Sequence, residues 1–219
     1  MSRFAGLAST AVMAAFLVAA GVTASAQDDG APKIQTPPGT IAAELVGQVQ
    51  NIPMTPTSYQ YGYLSAINGI DSIFTTTTHN ESSALFTFYT VATTTQVINN
   101  GNLRIVDRTG TTTFYLHNTP SGDFSVPSTF AEGVPILTMS LKQQVILDLV
   151  ENTFTTVNVN TVISAPSFTV NGSRYRLAQN RDQFRTLISG RSNTTGTPAN
   201  FVIAGYVVPT GWQLGDMGQ

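Results

Sequence analysis

The stretch ALFTFYTVATTTQVINNGNLRIVDRTGTTTFYL, residues 84–116, decides the fold class. Its runs of Val, Ile, Phe, Tyr and Thr are separated by Asn100-Gly101 and by Arg108-Thr109-Gly110. Such side chains fit a pleated, half-buried surface, and Asn-Gly supplies the positive φ angles of a tight hairpin turn. The stretch therefore predicts a β-meander of three runs. A two-residue turn at Asn100-Gly101 sets Ile98 opposite Leu103 and Gln96 opposite Ile105 on one face, with Val97 opposite Arg104 on the other. This pairing makes Ile98, Leu103 and Ile105 the core face and turns Arg104 outward. Residues 84–92 carry Ala84, Phe86, Phe88 and Ala92 on one face and Leu85, Tyr89 and Val91 on the other. A strand apolar on both faces is expected to be covered on both sides.

The same reading extends in both directions. Upstream, residues 41–52, 61–68 and 71–77 are strand candidates, with a turn at Asn68-Gly69. Downstream, Pro127 followed by Gly133 marks a short helical turn over residues 127–132. Residues 136–149 alternate Leu137, Met139, Leu141, Val145, Leu147 and Leu149 against Thr138, Ser140, Lys142, Gln144 and Asp148, and Gln143 and Ile146 break the pattern. Further strands are expected over 153–164, 184–189 and 201–208. A second Asn-Gly turn, Asn171-Gly172, pairs Phe168 with Tyr175, Thr169 with Arg174 and Val170 with Ser173, leaving Arg174 and Arg176 away from the apolar face. About ten short strands with little helix predict an all-β domain. A single antiparallel meander-type barrel of about eight to ten strands is favoured over a β-sandwich, because closure removes the exposed edges of weakly charged, Thr-rich strands.

Residues 1–26 read as a bacterial secretory signal peptide. Arg3 precedes an apolar run, and Ala24-Ser25-Ala26 fits the small-x-small cleavage pattern, so the mature chain is expected to start at Gln27. Residues 27–40 combine acids with Pro and Gly and read as a disordered linker, residues 41–209 as the barrel domain and residues 210–219 as a flexible tail. The expected location is secreted or periplasmic, with no stable membrane insertion once the signal is removed. An outer-membrane barrel is the competing reading, but the strands lack flanking aromatic girdles.

Charged residues are only 10% of the chain against a usual ~25%, so its polar surface is mostly uncharged. A formal net charge of −2 and the lack of a dense basic run argue against nucleic-acid binding. The absence of cysteine excludes disulfides, thiolate metal sites and a Cys nucleophile.

No spacing of residues announces chemistry. His79 with Glu81, and His117, lack the companions that a metal centre or general base requires, so no metal and no cofactor is expected. A nucleophile elbow is missing too, since Leu187 and Arg191 stand where glycines would flank Ser189. Arg174, Arg176, Arg181 and Arg185 gather four of the ten basic residues around Tyr175, a pattern able to bind a carboxylate, but the hairpin pairing favours a solvated strand face. Arg104, Asp107 and Arg108 read as a loose local charge network. The weak ligand-binding candidates are Arg174, Arg176, Tyr115, Tyr175 and Arg104.

The exported, meander-rich chain loosely resembles the eight-stranded calycin and allene-oxide-cyclase/dirigent barrels. The Gly-x-Trp signature of lipocalins has no counterpart, the Gly211-Trp212 pair lying at the opposite end of the chain. The resemblance implies a fold and transfers no functional residue. The expected role is a non-catalytic exported barrel that binds a small apolar molecule or serves as an envelope interaction module. The alternatives are a small isomerase or cyclase using Tyr115, Tyr175 or an Arg in a barrel pocket, and a structural or adhesive surface protein. Ligand identity and oligomeric state are not encoded in any motif.

Overall fold

Along Val134–Asp148, Leu137, Met139, Leu141, Gln143 and Val145 are buried while Ser140, Lys142, Gln144 and Ile146 face outward. Period-two burial of this kind, repeated strand after strand, bends one sheet around a common interior. The computed structural model describes residues 36–191 and 200–210, with the side chain of Asn200 excluded. Its strands are β1 (Ala43–Asn51), β2 (Thr57–Ile67), β3 (Phe86–Asn100), β4 (Leu103–Leu116), β5 (Val134–Asp148), β6 (Thr153–Ser164), β7 (Phe168–Val170), β8 (Ser173–Tyr175), β9 (Gln183–Arg191) and β10 (Asn200–Pro209). A 3-10 helix, Pro127–Ala131, begins on its proline.

Eight of these strands close into an antiparallel barrel in the order β1-β10-β9-β6-β5-β4-β3-β2. The protein is an all-β barrel in up-and-down order, and the sandwich alternative is not realised. Closure comes from β1, which pairs with β2 on one side and β10 on the other, Leu45 facing both Leu64 and Gly205. The remaining pair, β7 and β8, is the Asn171-Gly172 hairpin, inserted between β6 and β9. Its register is the expected one, Phe168 opposite Tyr175 and Val170 opposite Ser173, and both turn residues have positive φ, 50° and 76°.

The connections sort the barrel into two unlike ends. Residues 52–56, 101–102 and 149–152 make short turns at one end. At the other lie the long segments 68–85, 117–133 and 165–182, together with residues 36–42. The β7–β8 hairpin caps this second end, with the Phe168 ring 5.9 Å from Phe86 and Phe168, Val170 and Ala178 joining the apolar core. The 3-10 helix lays Phe130 over the outer face of β2, 5.6 Å from the fully buried Tyr61. The start of β3 is therefore covered on both sides, as its doubly apolar sequence implied, whereas Val91 further along is exposed.

Several expectations are corrected. Residues 84–116 form two long strands, not three runs, because Arg108-Thr109-Gly110 lies inside β4. Gly110 is required there by proximity: a Cβ would sit 2.1 Å from the Val91 carbonyl oxygen of β3. The β3–β4 turn is Gly101-Asn102, with Asn100 opposite Leu103 and Ile98 opposite Ile105; of the turn residues only Gly101 has positive φ. The core face is also the reverse of the expected one. Phe114 and Thr112 of β4 point inward, and continuing that alternation brings Val106 and Arg104 to the inside. In β3, a bulge between Thr94 and Gln96 moves the inward direction from Thr94 to Val97. Ile98 and Leu103 are left exposed on the outside.

Residues 71–77 make only an isolated bridge, Phe74 with Ala84, and β2 begins four residues earlier than expected. At the end of the expected linker, Gly39 N–H bonds the Pro209 carbonyl at 3.1 Å, and the Thr40 hydroxyl bonds that of Pro37. The signal peptide with its Ala24, Ala26 and Gln27 cleavage site, the rest of the linker and residues 211–219 lie outside the described residues.

Candidate functional site

Where the short turns gather, the barrel opens into a cavity of about 450 Å³. All eight barrel strands contribute to its lining. Val49, Val106, Val145, Phe154, Ile188 and Phe201 supply apolar wall. Glycine shapes part of this wall: the Phe154 ring occupies the space where a Cβ on Gly190 would stand, 2.4 Å away.

Beneath the walls lies a polar floor, built from side chains that would each be costly to bury alone. Gln60, Gln143 and Asn158 are all at least 95% buried. Gln60 Nε2 donates to Gln143 Oε1 at 3.0 Å, and Gln143 Nε2 donates to Asn158 Oδ1 at 3.1 Å. The Arg108 guanidinium joins from β4: Nη1 donates to the same Gln143 Oε1 at 3.2 Å, Nη2 to Asn51 Oδ1 at 3.0 Å and Nε to Thr94 Oγ1 at 3.3 Å. Six consecutive barrel neighbours, β1 to β6, are thereby stitched together across the interior. Burial, and then the nearby charge of Arg104, push the Arg108 pKa down to about 10. Deeper inside, Thr90 and Thr112 hydroxyls pair at 2.9 Å and Asn160 Nδ2 donates to Thr186 Oγ1 at 2.9 Å.

A second cavity, of about 390 Å³, lies toward the other end, between Leu64, Phe114, Leu137, Phe184 and Val207 inside and Pro37 and Pro38 of the entering chain outside. Its wall is largely apolar, with Thr36, Asn68, Asp182 and Gln183 also among its lining.

Of the five candidate residues, only Arg104 reaches the turn-end cavity. The expected network with Arg108 and Asp107 divides across the wall: both arginines line the cavity, and the Asp107 carboxylate accepts from Gln144 Nε2 on the outside at 3.3 Å. Arg174, Tyr175 and Arg176 belong to the capping hairpin and the residue after it, where Arg174 donates to Ser167 at 2.9 Å and the Tyr175 ring lies 6.0 Å from Phe168. Tyr115 alternates outward on β4, away from the cavity. Both imidazoles are structural. His79 stacks on Phe74 at 4.2 Å. The Thr87 hydroxyl donates to the Phe130 carbonyl at 2.7 Å and so accepts from His117 Nε2 at 2.8 Å, and Ser121 donates to His117 Nδ1 at 3.2 Å. Among the described residues no group of three or more His, Asp or Glu side chains is placed to hold a metal ion.

Of the floor residues, Gln60, Asn51 and Asn158 were not singled out by sequence, and Arg108 was read only as part of a local charge network. Gln143 carried the one visible signal, a polar residue on the apolar phase of an otherwise regular strand. No family model, no curated protein and no solved structure matches this chain.

Proposed function

We propose that this protein is an exported, non-catalytic binding barrel that holds a small, largely apolar molecule in the cavity at its turn end. The observation that carries the reading is the cavity of about 450 Å³, within the ~300–1,000 Å³ range of small-molecule sites, with apolar walls and a few convergent polar groups. The outer surface mixes charged and polar side chains, among them Glu44, Thr93, Thr109, Lys142, Gln144 and Arg185, with exposed Val91, Ile146 and Val202; the charged members, spread over several strands, support a water-facing barrel. The cyclase-like alternative loses Tyr115 and Tyr175, which lie away from the cavity, and keeps only the arginines that line it, Arg104 and Arg108.

Native mass spectrometry of the protein purified gently from its host tests the reading. A non-covalent adduct of small-molecule mass, removed by denaturation, is expected. Protein that is consistently bare, and that takes up no apolar compound when challenged, would overturn it.

A further inference from the structure

The floor of the turn-end cavity holds a guanidinium without a carboxylate. Arg108 gives three of its five N–H groups to neutral oxygens of Thr94, Gln143 and Asn51, which leaves two, one on each terminal nitrogen. Arg104, four residues along the same strand and on the same face, brings a second positive charge to the cavity. Among the described residues none of those lining it is Asp or Glu, and Asp107 points to the outer surface. Neutral amides orient a guanidinium but do not offset its removal from water, which an anion does.

We propose that the molecule bound in this cavity is an amphipathic organic acid. Its carboxylate bridges the two remaining N–H groups of Arg108 in the planar, bidentate manner that guanidinium favours, with Arg104 adding long-range attraction at the mouth. Its apolar body lies against Val106, Val145, Phe154 and Ile188. The proposal rests on the reading of the cavity as a ligand site and specifies the class of ligand. An apolar molecule without an acidic head would fill the walls and leave the guanidinium no better compensated than before.

Calorimetric titration of the mature chain with decanoate and with decan-1-ol separates the two statements. At neutral pH decanoate is expected to bind at least about tenfold more tightly than the alcohol, the scale of a charge-assisted hydrogen-bonded pair. Arg108→Gln should remove that advantage while leaving alcohol binding within about twofold. Lys142→Gln, on the outer face of β5, should change neither. Should Arg108→Gln fail to fold, carbon NMR of carboxyl-labelled decanoate on the wild-type protein reads the same contact. The bound carboxyl is expected to stay ionised to lower pH than the free acid. Equal affinity of wild-type protein for decanoate and decan-1-ol, or a bound carboxyl that titrates like the free acid, overturns the inference and leaves the ligand-site reading standing. Failure of both compounds to bind overturns both.

Discussion

Arg108 and Gln143 stand directly opposite each other on β4 and β5, and the guanidinium Nη1 lies 3.2 Å from the amide Oε1 that also accepts from Gln60. One acceptor thus serves two buried donors. Gln143→Leu keeps the side chain's approximate size but strands both donors and the Asn158 carbonyl oxygen. Each buried polar group left unsatisfied costs roughly 1–3 kcal/mol, so a loss of about 2–4 kcal/mol is expected in urea unfolding. A variant as stable as the parent would show that the amide does not hold the floor together.

Two glycines separate close approach from turn geometry. Gly110→Ala would drive a Cβ to 2.1 Å from the Val91 oxygen and 2.8 Å from the Ala92 Cα, forcing β3 and β4 apart. Gly101→Ala meets nothing within 4 Å and strains only a positive φ of 58°. The first should cost more than about 2 kcal/mol and the second about 1 kcal/mol. Denaturation midpoints of the two variants, measured side by side, check the order, and a reversed order would contradict the strand assignment of Gly110.

His117 makes stability depend on pH. Burial lowers its pKa below the ordinary 6.5, with Glu132 acting weakly in the opposite direction. The folded protein therefore holds the imidazole neutral while the unfolded chain protonates it more readily. This contribution is complete above the ordinary imidazole value and declines as pH falls through the window between that value and the lower folded one. Urea midpoints taken from about pH 7.5 to about pH 5 should fall, and His117→Gln should flatten the part of the curve near pH 6. An identical slope in the variant would assign the effect to other groups.

Phe168 is the principal apolar contact of the capping hairpin, against Phe86 and Tyr175. Phe168→Ala should cost about 3–5 kcal/mol as a buried aromatic replaced by a void. Far-UV circular dichroism should be nearly unchanged, because the barrel ladder does not pass through β7 or β8. A large loss of strand signal would mean that the cap is needed for closure.

The architecture was readable because its determinants are local. Period-two alternation, the Asn171-Gly172 turn and Pro127 each act over a few residues, and together they specify strands in meander order. What escaped depends on contacts across the barrel. The apolar count of Ile98, Leu103 and Ile105 pointed to one face, but the inside of β4 is set by its continuation into Phe114, and that of β3 by the bulge after Thr94. The polar floor escaped for the same reason. Gln143 broke an alternation visibly, yet Gln60, Asn51, Arg108 and Asn158 lie on five different strands with it, and only closure brings them together.

Ligand binding inside the turn-end cavity is tested most directly by titrating the protein with a neutral apolar fluorophore, N-phenyl-1-naphthylamine, alongside a variant in which the cavity is filled, Leu147→Trp. Leu147 lines the cavity without being fully buried, so the larger ring can enter the space without dismantling the wall. The wild-type protein should show saturable binding at one site per chain, and the filled variant should lose at least about tenfold in affinity while unfolding at a similar urea concentration. Absence of saturable binding to the wild type, or equal binding by the filled variant, would contradict the account.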